Sequence, residues 1–326
     1  MKTTLAVLSV VALSFLAGCY APQGQKMLTV DFQKGQTLRY KFVSSRDIEL
    51  RLQPAEAATK AGGGRVEKYF ESMEMVVAYR PVEVDPYGLT TIDATCESVK
   101  VRRDSDKARG TSQKDAVESL SGKTFTFTVG PTGRIEDYSQ LDKLIMETGD
   151  KAFRSSGGQG RIKEPDMISD FIATQRFLWD SVSSIGNAAE GVSVGQTWKS
   201  KLSVPTPMVM RKARDVAYTL AGVNQTKKGQ LAVIRSSYSL AASVPNGWPM
   251  PYSGTFQMSG TFGFLRGYKV LSLQGQGEEL FNIDTGRTEQ YGQQYQMEME
   301  ASFLIPLEPS PRITIKQNIT MQLLES

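Results

Sequence analysis

Apolar and charged residues take turns along much of this chain. From 38 to 52 the even positions include Leu38, Tyr40, Phe42, Ile48, Leu50 and Leu52, while Arg39, Lys41, Asp47, Glu49 and Arg51 hold odd positions. Tyr69, Met73, Met75, Val77 and Tyr79 form a second stripe, and Phe256, Met258, Phe262 and Phe264 a third. Near the end Tyr291, Tyr295, Met297, Met299, Phe303 and Ile305 oppose Gln294, Gln296, Glu298 and Glu300, and Ile313, Ile315, Ile319, Met321 and Leu323 repeat the pattern. Successive side chains of a strand point to opposite faces, so a period of two means strands with one buried and one wet face. Strands wet on one side belong to antiparallel sheets, not to a doubly wound parallel one. The chain is therefore expected to be mainly β.

Helical period appears only in the middle. Tyr138, Leu141, Leu144 and Ile145 fall on one helical stripe, as do Met167, Phe171, Leu178 and Val182 after Glu164-Pro165-Asp166, where proline suits a first turn. Between them lies the flexible run 155–160, SSGGQG. The segment 54–64, PAEAATKAGGG, reads as the tip of a long hairpin. No Gly-Lys-Ser/Thr follows its glycines, so it is no phosphate cradle. Gly275-Gln276-Gly277 lacks the third glycine of a dinucleotide fingerprint and reads as a strand bulge or turn.

Two stretches recur across the middle. GQTLRYKF (35–42) matches GQTWKSKL (195–202), and FTVGPTGRIEDY (127–138) matches FNIDTGRTEQY (281–291), in the same order. Two ordered matches predict a tandem duplication. The expected fold is thus mainly β (α+β): a first sheet unit over 27–137, a helical connector over 138–190 and a second unit over 192–326. Gly35 would match Gly195, Leu38 would match Trp198, and Gly133 would match Gly286.

Ahead of these units stands a segment with the parts of an export signal. Lys2 supplies a positive end, Leu5 to Leu16 form an apolar stretch broken by Ser9 and Ser14, and the small Ala17 and Gly18 precede Cys19. The stretch is short for a permanent bilayer span. Leu16-Ala17-Gly18-Cys19 resembles the lipobox of bacterial lipoproteins. The resemblance implies a signal peptide over 1–18, cleavage before Cys19, acyl chains on Cys19 as the membrane attachment, and a tether over 19–26. Tyr20, where many inner-membrane lipoproteins carry aspartate, favours the outer membrane, facing the periplasm. The layout of lipobox, Gly-Gln-Thr strand, central helical stretch and Val192-Ser193-Val194-Gly195-Gln196-Thr197-Trp198 is similar to a family of bacterial cell-envelope lipoproteins without an assigned activity.

Composition then narrows function. The chain has no histidine, which removes Ser-His-Asp and Cys-His nucleophiles and nearly every ordinary zinc site. Carboxylate chemistry survives, but the acids are scattered singly along strands. With Cys19 acylated, Cys96 is the one remaining thiol; it shares a strand face with Ile92 and Ala94 and reads as a small buried apolar residue. The net charge of +4 is interleaved. Lys100-Val101-Arg102-Arg103 and Arg211-Lys212-Ala213-Arg214 read as solvated strand edges or turns, not a nucleic-acid footprint. No metal and no cofactor is expected.

Three functions stay open. The first is a non-catalytic binding or carrier protein for an apolar, lipid-like ligand, seated among Met73, Met75, Met258, Met297, Met299 and Met321; methionine adapts to irregular apolar partners. The same methionines would serve equally to fill a core between sheet and helices. The second is an assembly component of the envelope that binds another protein, and the third, placed last, is a carboxylate-dependent enzyme.

Overall fold

The computed structural model describes residues 24–52, 65–105, 116–130, 135–137, 191–203, 213–244, 265–303 and 310–325, with single positions between 139 and 147. Five strands come first: β1 (Leu38–Leu52), β2 (Arg65–Val84), β3 (Thr90–Ser105), β4 (Thr124–Val129) and β5 (Ile135–Asp137). Six follow: β6 (Thr197–Ser203), β7 (Ala213–Thr226), β8 (Gly229–Leu240), β9 (Leu265–Asn282), β10 (Arg287–Phe303) and β11 (Arg312–Leu324). A 3-10 turn over Ala116–Leu120 packs Leu120 under β3.

All eleven strands form one antiparallel sheet in the order β5-β4-β3-β2-β1-β11-β10-β9-β8-β7-β6. Each half is a meander, and β1 pairs with β11 along thirteen residues, from Arg39 opposite Leu324 to Arg51 opposite Arg312. The expected pair of tandem sheets is therefore corrected to a single sheet whose centre joins the first strand to the last. Leu38 enters a central strand and is 3% exposed; Trp198 enters β6 at the edge and is only half-buried. The repeated Gly-Gln-Thr does build the same turn twice. Gly35 and Gly195 have φ of 84° and 86°, and their N–H groups donate to Pro81 and Leu220 on the neighbouring strands. A shared turn does not make a shared sheet, and Gly133 lies outside the described residues.

The halves are also tied at one end. Lys26 bridges Val192, and the Asp31 N–H donates to the Gly286 carbonyl in the β9–β10 turn. Leu28 and Phe32 of this entry segment are buried.

The helical connector expected over 138–190 is not supported. Ser139, Gln140, Lys143, Leu144 and Glu147 are helical, and the remainder, including the stripe from Met167 to Val182, lies outside the described residues. So do the signal, Cys19 and the tether as far as residue 23, the 54–64 segment, and the Phe256–Phe264 stripe; the last tether residue, Lys26, is instead paired with Val192. The register of Leu52 with Arg65 nevertheless shows the β1–β2 hairpin that 54–64 was expected to join.

Alternation sets the faces as expected. Tyr40, Phe42, Met75, Val77, Tyr79, Ile92, Cys96, Phe127, Met297, Met299, Ile315 and Met321 all point to one side and are buried. Burying a side chain of this size is worth about 1.5–3 kcal/mol. Aromatic rings run across one end of this face, with Tyr40 on Tyr79 and Tyr79 on Phe127 at 5.9 and 6.1 Å between ring centroids, both edge-on. The opposite face carries Arg39–Glu97, Lys41–Glu74, Arg80–Asp93, Lys201–Asp215 and Arg235–Glu278 ion pairs.

Candidate functional site

A belt of polar side chains crosses the buried face at its middle. Ser44 and Arg46 interrupt the apolar run of β1, Glu71 that of β2, Gln317 that of β11, and Gln293 that of β10. Cross-strand register brings them together: Arg46 faces Glu71 on one side and Gln317 on the other, and Gln317 faces Tyr295. Arg46 Nε donates to Glu71 Oε2 at 2.7 Å, with the Arg46 side chain at 0% exposure. Gln317 Nε2 donates to Ser44 Oγ at 2.9 Å, and the Tyr295 hydroxyl donates to Gln317 Oε1. A buried charge must be paired and hydrogen-bonded to be tolerated, and Arg46 meets that condition.

The second half of the belt centres on Arg214, at 0% exposure. Its guanidinium lies 4.6 Å from the Tyr238 ring centroid, within cation–π range. Its Nη1 donates to Gln293 Oε1 at 3.1 Å, and the Tyr291 hydroxyl donates to the same oxygen at 3.1 Å. The Tyr238 and Tyr291 hydroxyls stand 2.8 Å apart, and Ser236 Oγ donates to Tyr238 at 2.7 Å. Gln293 Nε2 is buried and has no hydrogen-bond partner among the described residues. Burial, first, and then neighbouring Tyr238 hold the Tyr291 hydroxyl well above its ordinary pKa, so it stays a neutral donor.

These contacts also report the shape of the face. Between β7 and β10 lie β8 and β9, so Arg214 and Gln293 would be separated by about 14 Å on a flat sheet with strands 4.7–4.9 Å apart. Two upright side chains do not bridge that gap together with their offset along the strands. The contact closes because the sheet curls, making the apolar face concave. Gly275 and Gly277, inward positions of β9, give the room. A Cβ on Gly277 would lie 2.7 Å from Ser236 Oγ and 2.8 Å from the Tyr238 hydroxyl oxygen; one on Gly275 would lie 2.4 Å from the Gln294 carbonyl oxygen.

Gly275-Gln276-Gly277 is thus not a bulge or turn. It runs in regular register with Gln293–Tyr295 on one side and Ser236–Tyr238 on the other. Arg214 is corrected as well: a residue expected on a solvated edge is fully buried, because the inward face of β7 starts there, ahead of Val216, Tyr218 and Leu220. Lys100 and Arg102 are exposed as expected. Met73, Met75, Met297, Met299 and Met321 line the concave face, while Met258 lies outside the described residues. Cys96 is buried, and burial, then Glu97, pushes its thiol up to about 12.

The described residues contain no group of three Cys, Asp or Glu side chains placed to hold a metal ion. No described helix is long and apolar enough to cross a membrane. The sequence showed no pocket motif for the belt, but it did carry a signal: polar residues at positions where the alternation demands apolar ones.

No family model matches the chain, and no curated protein matches it. Eight solved chains do match. One of them, a lipovitellin described for its lipid–protein interactions, aligns with 90% of this chain at a TM-score of 0.48 and 10% identity. The alignment covers 26% of the lipovitellin chain, so this chain spans about a quarter of that protein's length. A likeness at that level adds nothing to the chemistry of the site.

Proposed function

We propose that this chain is a lipid-anchored protein of the bacterial cell envelope, tethered through acyl chains on Cys19, that binds a lipid-like ligand without catalysis on its concave face. Signal cleavage before Cys19 and placement in the outer membrane, facing the periplasm, belong to the same proposal. The observation that supports it is the concave face itself: its apolar side chains, rich in methionine and crossed by one polar belt, are buried although no second described sheet packs on them. Binding sites of this kind combine an apolar lining with a few placed polar groups that orient the ligand. Among the described elements no second sheet faces it. The assembly reading is supported less, because the sheet edges are short. β5 has three residues, and β6 has seven, including Lys199 and Lys201, which blunt an edge against strand addition.

Two measurements test the proposal separately. Cys19→Ser abolishes detergent-phase partitioning; a variant still membrane-bound after a high-salt wash overturns the anchor. Soluble protein lacking residues 1–19, extracted with organic solvent and analysed by mass spectrometry, releases an acyl lipid in near-stoichiometric amount. Protein that carries none, and that does not displace a fluorescent fatty-acid probe, overturns the ligand reading.

A further inference from the structure

The face opposite the belt has its own depression, of about 590 Å³, where β9, β10, β11 and β1 cross the middle of the sheet. Two rows of outward side chains floor it. Gln276, Gln294, Asn318 and Ser45 stand in register across the four strands, and Gln274, Gln296, Lys316 and Asp47 form the row beside them. Around this floor the outer face is tied by ion pairs, from Arg39–Glu97 and Lys41–Glu74 on one flank to Arg235–Glu278 and Lys201–Asp215 on the other. The floor is different. None of its eight side chains makes a hydrogen bond or ion pair among the described residues.

We infer that this floor is a binding site for a neutral oligosaccharide. Each amide offers two N–H donors and a carbonyl acceptor, and each hydroxyl both donates and accepts, which matches the paired donor and acceptor character of sugar hydroxyls. One lysine and one aspartate, in register with each other, leave the floor without net charge, so neither a polyanion nor a polycation is selected. A peptide strand has no free backbone to pair with, because β9, β10, β11 and β1 each have partners on both sides. Strands about 4.8 Å apart place successive polar groups at intervals comparable with one pyranose ring. Phe70, in register with Asp47 at the end of one row, offers a ring for a sugar face, with the Arg102 guanidinium 5.8 Å from its centroid. Gly292, in the adjoining row, has nothing within 4 Å of where a Cβ would stand and leaves the depression open on that side. Gly275, Tyr295 and Gln317, inward positions of the same strands, also border the depression, and the inference does not rest on the lipid-ligand reading.

The test uses the soluble chain against an immobilised panel of neutral glycans, followed by calorimetry with cello- and chito-oligosaccharides. Saturable binding is expected, unchanged by raising the salt, with at least a tenfold loss in Gln276→Ala/Gln294→Ala. Lys201→Ala, on the same face but outside the floor, keeps wild-type affinity. Both variants are checked for an unchanged circular dichroism spectrum and Tm. A second variant, Asn318→Ala, repeats the loss should the double variant misfold. No saturable binding across the panel, binding abolished by salt, or equal loss in Lys201→Ala overturns the inference.

Discussion

Arg46 and Glu71 show what a buried ion pair does in this sheet. Removing one partner strands the other in an apolar face, so Arg46→Met or Glu71→Gln alone is expected to cost about 3–5 kcal/mol. The double replacement Arg46→Met/Glu71→Leu recovers most of that loss, since a well-packed apolar pair of similar volume is often no worse. Chemical denaturation of the three variants checks this; a double variant as unstable as the singles contradicts it. Cys96 is expected to resist thiol reagents in the native state and react once unfolded. Its thiol is held neutral by burial, so that stability is fully present below the ordinary pKa of 9.0. It is lost as pH rises from there toward about 12. Cys96→Ala should flatten the fall in stability over that window, whatever constant penalty the missing sulfur brings.

At the scale of elements, the β9–β10 hairpin holds the entry segment. Gly286 has φ of 59°, and a Cβ there would lie 2.5 Å from the Asp31 nitrogen, against backbone that cannot swing aside. Gly286→Ala is expected to cost on the order of 1–3 kcal/mol and to raise amide exchange over residues 26–32 before the rest of the sheet. Exchange that stays uniform contradicts this. The strands themselves were legible, because Leu38-Tyr40-Phe42 and Met297-Met299 set both face and period. Their partners were not. One-sided strands carry a face but no address, so nothing in β1 names β11, more than 260 residues on, as its neighbour. The belt was half legible: Arg46, Gln293 and Gln317 stand out as breaks in apolar stripes, but which breaks meet depends on that same register.

For the whole molecule, the β1–β11 ladder is what makes one sheet of two meanders. Deleting residues 312–326 removes the strand between β1 and β10 and leaves two apolar faces with no common centre. Such a protein is expected to aggregate or to show no cooperative transition. Glu325→Ala, which loses only the exposed pair with Lys228, is expected to unfold at the wild-type midpoint. A cooperative transition in the truncated chain contradicts this role for the ladder. The same long-range closure predicts slow refolding, since non-local strand pairing needs a costly loop to close before it is rewarded.

The chain leaves the ribosome from its N-terminus, and the ladder of β1 against β11 sets a schedule for its synthesis. At about 5–20 residues per second, β1 waits some tens of seconds for its partner. Throughout that interval the strand destined for the middle of the sheet is an edge, fifteen residues long and apolar on one side. Its early neighbours cannot shield it, because β2 occupies only the other side. Vectorial synthesis thus leaves one edge of β1 unpaired until the last strand is made, and a holding factor, or transport of the chain unfolded, would keep that edge from wrong partners in the meantime.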